Sequence, residues 1–194
     1  MAEFYDPSFV ESGVFSPDSM SKQNAGLLHN HYLYITYKTR FNLGADPDLN
    51  SLLKEIETRT IDLEEQDLLP DGSISLIREM NKFLSKYSEK TFQPGIDHLA
   101  GMYRSVLVDP KFRDSNLVIA FSIAYYSSVF WSEMQVVPDG GEPEPLRIPR
   151  WLKIVAGDVL GALAGIGTGA LIGGVGAVIG GVLGGCSGSI LEAG

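Results

Sequence analysis

Val159-Leu160-Gly161-Ala162-Leu163-Ala164-Gly165-Ile166-Gly167-Thr168-Gly169-Ala170-Leu171-Ile172-Gly173-Gly174-Val175-Gly176-Ala177-Val178-Ile179-Gly180-Gly181-Val182-Leu183-Gly184-Gly185-Cys186-Ser187-Gly188-Ser189-Ile190-Leu191 contains no charged side chain. About 20 apolar residues suffice to cross a bilayer, whose hydrocarbon core is about 30 Å thick. As a single helix this run reaches roughly 50 Å at about 1.5 Å per residue. One straight span is too long, and a hairpin of two short helices fits better.

The glycines sharpen that reading. Gly157, Gly161, Gly165, Gly169 and Gly173 recur every four residues. The phase then slips by one, and Gly176, Gly180, Gly184 and Gly188 take up the same period, while Ala177, Gly181 and Gly185 continue the old one. Positions four apart share one face of a helix. In lipid, helices associate through close backbone approach at such small-residue faces. The slip falls within Gly173-Gly174-Val175-Gly176, the natural place for a turn. The spacing predicts helices over about 154–172 and 177–191, their glycine faces meeting each other or a neighbouring chain.

Other readings are weaker. In water each Gly costs about 1 kcal/mol relative to Ala in a helix, which weighs against a soluble helical core. Flexible linkers are rich in Gly and Ser and polar, whereas this tail is full of Val, Ile and Leu. Gly165-Ile166-Gly167-Thr168-Gly169-Ala170 loosely fits a dinucleotide fingerprint, but that pattern needs a strand before it and an acidic residue about 20 positions on. Apolar, Gly-rich sequence continues here on both sides.

The two glycine ladders resemble the glycine-zipper segments of bacterial membrane proteins and the G-x-x-x-G-bearing peptides of two-peptide bacteriocins. The resemblance covers about a fifth of the chain. It implies membrane insertion and oligomerisation, with permeabilisation as the activity. Gly26-Leu27-Leu28-His29-Asn30 also looks like a G-x-L-H-N stretch near the start of some uncharacterised bacterial proteins that end in a glycine-rich tail, and implies no chemistry.

The chain of 194 residues has the length of one domain with an appendage. It carries 15 basic and 24 acidic residues. Only Lys153, Asp158 and Glu192 of these lie after residue 150, which leaves 14 against 22 in the first part. Such acidity argues against nucleic-acid binding and against electrostatic adhesion to anionic lipid. The single cysteine, Cys186, rules out an intrachain disulfide and a Cys-rich zinc site. It reads as a small packing residue. Met1-Ala2-Glu3-Phe4 opens an acidic, polar segment without the features of a secretory signal. Entry into a membrane would therefore be from the cytoplasmic side, or after export by a dedicated system.

Residues 1–22 read as an irregular arm. Residues 23–135 read as a helical domain. Asn24 would cap a helix over about 25–40, although Tyr32, Tyr34 and Thr36 alternate as in a strand. Asp46-Pro47 reads as a helix start, with Leu49, Leu52, Leu53 and Ile56 on one face through about residue 59. Pro70-Asp71-Gly72 breaks the chain and Ser73 opens the next helix. Pro94 starts another, ending near Asp109-Pro110. Ser115 caps the most apolar helix of this part, about 116–134, read as a central core helix. Residues 136–150 read as an extended Pro/Gly linker. Within it, Gly140-Gly141 admits a leader cleavage that would release a peptide starting at Glu142. Arg147, Arg150, Trp151 and Lys153 stand before residues 154–194 as interfacial anchors.

No enzyme is expected. His29, His31 and His98 lack the spacing of a zinc set, and no cofactor or metal site is evident. The fold expected is all-α: a small helical bundle, the linker, and over 151–194 a glycine-zipper helical hairpin. The expected partners are a lipid bilayer and further copies of the chain. Two other functions fit the sequence: a membrane-anchored interaction protein whose helical domain recruits a partner, and a precursor of a secreted peptide.

Overall fold

The computed structural model describes residues 21–37, 48–86, 92–133, 135–136, 144–145, 148–170 and 174–193. Arg147, Gly173 and the Gly140-Gly141 pair lie outside them. The fold is all-α. After a 3-10 turn at Lys22–Asn24 come α1 (Ala25–Tyr37), α2 (Leu49–Glu65), α3 (Ser73–Leu84), α4 (Phe92–Val108) and α5 (Leu117–Glu133). β1 (Gln135–Val136) and β2 (Glu144–Pro145) follow, then α6 (Ile148–Gly169) and α7 (Gly174–Ala193).

Local chemistry sets several boundaries. Ser21 accepts a hydrogen bond from the Asn24 amide, so the capping residue lies one turn before the Asn expected. The segment expected as helix or strand is helical to Tyr37. Asp48 caps α2 by accepting from the Ser51 amide at 3.0 Å. The acidic run that followed the expected helix end at residue 59 is itself helical to Glu65. Glu64 then accepts from the Ile74 amide at 2.9 Å. A carboxylate there satisfies an orphan donor and lies at the positive end of α3. Gly72, at φ 85°, makes the left-handed turn into α3. Ser115 accepts from the Leu117 amide at 3.2 Å and starts α5 where expected.

The stretch 136–150 is not simply an extended linker. Gln135 pairs with Pro145 and Val136 with Glu144 in a short antiparallel bridge, and α6 already begins at Ile148. Pro149 is accommodated because first-turn amides have no intrahelical acceptor. The break between the last two helices also comes earlier than the glycine slip suggests. Gly174, Val175 and Gly176 are helical. An early restart of the helix brings Gly176 into register against Gly169.

One hydrophobic cluster runs from Ala25 in α1 to Cys186 in α7. Helix α5 lies at its centre, with Leu117, Ile119, Phe121, Ile123 and Trp131 buried. Helix α6 packs against α2, α5 and α7, and α7 also lies on α1. The two C-terminal helices and the helical domain thus share a core: Leu152, Val155, Val159, Leu163 and Ile166 are all buried in it.

Candidate functional site

Two features of α6 and α7 stand out, a backbone-to-backbone crossing and a buried carboxylate. In the crossing, a Cβ added at Gly161 would overlap the carbonyl of Gly184. Gly165 faces Gly180 in the same way, and Gly169 faces Gly176. Each step of four forward on α6 is a step of four back on α7, so the helices run antiparallel. The relation is mutual, since Gly180 and Gly184 meet the carbonyls of Gly165 and Gly161. No side chain of any size fits between the helices. Gly181 and Gly185, on the other phase, face both α6 and the domain. A Cβ at Gly181 would lie 2.6 Å from Ile119 of α5, and one at Gly185 would lie 3.1 Å from the His29 ring of α1. A Cβ at Gly185 would also lie 3.2 Å from the Asp158 carbonyl of α6, so the second phase sits in the angle between α6 and the domain.

The buried carboxylate is Asp158, at the middle of α6, with no exposed surface. Ser127 Oγ and Trp131 Nε1 both donate to its Oδ2, the latter over 3.1 Å. These two residues are four apart on α5 and share a face. His29 of α1 brings Nε2 to 3.6 Å from the same oxygen, beyond hydrogen-bonding distance. The Asn30 amide donates to the Tyr126 carbonyl at 2.8 Å, which leaves its oxygen to accept from His29 Nδ1 at 3.1 Å. The other ring nitrogen, Nε2, is the one turned towards the carboxylate. Cys186 of α7 closes the cluster, its Sγ 3.8 Å from the His29 carbonyl. Four helices, α1, α5, α6 and α7, thus meet at one polar point inside an apolar core.

Of the residues read as packing positions, Gly161, Gly165, Gly169, Gly176, Gly180 and Gly184 are brought together. Gly157 is buried in α6, and Gly188 belongs to α7. Of the expected interfacial residues, Arg150 and Trp151 lie in the first turn of α6. Lys153 is half-buried, and its charge is felt at Asp48, the cap at the start of α2. There the Ser51 hydroxyl and amide hold the Asp48 carboxyl below its ordinary value, and the charge of Lys153 adds to the effect.

The histidines are scattered. His31 is buried, which lowers its pKa by desolvation. His98 is exposed and its ring lies 4.6 Å from that of Phe83. Among the described residues no group of three His, Cys, Asp or Glu is placed to hold a metal ion.

Sequence reasoning passed over Asp158. Its signal was available: a lone carboxylate at the head of a long apolar run marks a polar partner elsewhere. It also passed over Gly26, where a Cβ would overlap the Ser122 carbonyl and hold α1 off α5. Among the described residues one helix, over Leu152–Gly169, is long and apolar enough to cross a membrane, and two thirds of it is buried within the bundle. Comparison with family models, characterised proteins and solved structures finds no match to this chain.

Proposed function

We propose that the α6–α7 hairpin is a membrane-inserting, self-associating element that permeabilises a bilayer, in the manner of a bacteriocin-like or toxin-like protein. The observation that carries this reading is the glycine crossing. It makes α6 and α7 a two-helix unit whose mutual packing needs no large side chain and no hydrophobic effect, the conditions under which helices pair in lipid. Both helices satisfy their own backbone hydrogen bonds, as any lipid-exposed segment must. The outer face of α7 supports the same reading. Val175, Ile179 and Leu183, spaced by four, are 51%, 41% and 46% exposed. That apolar stripe suits lipid or a second copy of the chain.

The test is flotation of the full-length chain with liposomes, followed by protease treatment and mass spectrometry of the floated material. A protected fragment covering about residues 151–191, together with release of an entrapped dye, is the expected result. A chain that stays at the bottom of the gradient both as wild type and as Asp158→Leu sinks the proposal. A chain ending before Ile148 is a poor control, because α6 supplies part of the domain's core.

A second reading is a non-toxic anchor, in which the helical domain recruits a partner. It is favoured by the burial of two thirds of the apolar segment of α6 within the bundle, since such a segment can serve the domain as core. An anchor floats without emptying the vesicles, so dye release separates the two.

A further inference from the structure

Asp158 stands in opposite relations to the docked hairpin and to an inserted one. In the folded bundle its carboxylate is the acceptor on which Ser127 and Trp131 of α5 converge, with the imidazole of His29 3.6 Å away. Within the apolar segment Leu152–Gly169 it lies about 9 Å from the nearer end at about 1.5 Å per residue. Insertion of that segment carries the carboxylate into hydrocarbon and leaves behind its donors on α5 and the imidazole on α1. A central Asp lowers helix insertion roughly 100-fold, the equivalent of about 3 kcal/mol. The bundle meanwhile loses buried partners, since Ser127, Trp131 and His29 are all buried.

From this we infer that Asp158 is an autoinhibitory contact. It holds the α6–α7 hairpin against α1 and α5, and keeps it out of a bilayer until the contact is broken. The inference rests on the insertion proposed above and adds its regulation. The groups around the carboxylate fit the role. Among the described residues α5 contributes donors without charge, α1 the imidazole of His29, and α7 the thiol of Cys186. His29 Nε2 has no hydrogen bond among the described residues, so its pairing with Asp158 is the one that separation of the hairpin would end. The contact also sits beside Gly185, where a side chain would press on His29. The same point therefore fixes both helices of the hairpin.

The experiment uses the full-length chain and liposomes of phosphatidylcholine with phosphatidylglycerol. Wild type is compared with Asp158→Leu, Asp158→Asn and Ser127→Ala, each checked for helical content by circular dichroism. The floated-to-free ratio is expected to rise about 100-fold for Asp158→Leu. About 10-fold is expected for Asp158→Asn, which keeps a polar amide in α6, and for Ser127→Ala, which loosens the docked state only. Ser127→Ala leaves the hydropathy of the hairpin untouched, so a rise there reports the contact itself. It also decides the matter should Asp158→Leu lose its helical content. Equal flotation of all four chains overturns the autoinhibitory contact and leaves insertion standing. No flotation by any of them overturns insertion, and the contact with it.

Discussion

Helices α5 and α6 are both buried in the centre of the molecule, and they reach that position by opposite means. Helix α5 is filled with large side chains. Phe121 and Trp131 are almost fully buried, and Leu117, Val118, Ile119 and Ile123 surround them. Its stability follows from apolar area removed from water, about 25 cal/mol per Å². Helix α6 has small residues on the face that meets α7, and there the partner's backbone fills the space. The first solution tolerates changes of shape and suffers from loss of volume. The second tolerates no added volume, because a carbonyl of a helix cannot turn aside as a side chain can. The same contrast explains why α5 alone looks like a soluble core helix, whereas α6 suits both a protein core and lipid.

The largest expected effect is at the crossing. Gly165→Leu places a side chain where the Gly180 carbonyl lies. Overpacking of side chains costs about 1–3 kcal/mol, and here the obstacle is backbone. We expect loss of the cooperative thermal transition and of protection from hydrogen exchange along α7. Survival of both would show that α7 can slide on α6, and would break the contrast. Next comes Phe121→Ala in α5, where cavity formation should cost about 3–5 kcal/mol, read as a lower urea midpoint with the helical fold retained. A loss below about 1 kcal/mol would mean that α5 is not packed by volume.

A smaller effect of opposite sign is expected outside both helices. At Gly101 on α4 an added Cβ meets nothing within 4 Å. Gly101→Ala should stabilise by up to about 1 kcal/mol through helix propensity, seen as a raised Tm. Glycine content is then a cost wherever no backbone approaches. The smallest effect concerns the side of α5 that meets α4. Tyr103 donates to the Gln23 carbonyl at 2.8 Å, and burial pushes its phenol up to about 12 from an ordinary value of 10.0. A raised phenol favours the neutral form in the folded state. Its contribution to stability is therefore complete below about pH 10 and is lost as pH rises towards 12. Alkaline absorbance titration of wild type against Tyr103→Phe should remove a step near the upper value. A missing step near 10 instead would place Tyr103 in water.

Much of the architecture was legible before any coordinates. Periodicity placed helices on Leu49, Leu52, Leu53 and Ile56, on Ile74 and Ile77, and on Ile96, Leu99 and Tyr103, because one apolar side per turn has a single reading. The boundaries were less legible. Glu64 and Glu65 read as a solvated run after a helix, yet they end α2, and Glu64 caps α3 from ten residues away. Local pattern does not report a partner that distant.

The glycine positions show the division most clearly. Their period of four, and the slip between two ladders, are properties of the chain, and they determine which faces can approach at backbone distance. Tertiary structure alone decided what each face approaches: Gly165 meets Gly180, whereas Gly181 meets Ile119 and Gly185 meets His29. It alone set Asp158 against Ser127, Trp131 and His29, across 31, 27 and 129 positions of the chain. Periodicity carries the faces of a helix because it is a relation among neighbours. The choice of partner depends on how the helices fit together, and no single segment contains that information.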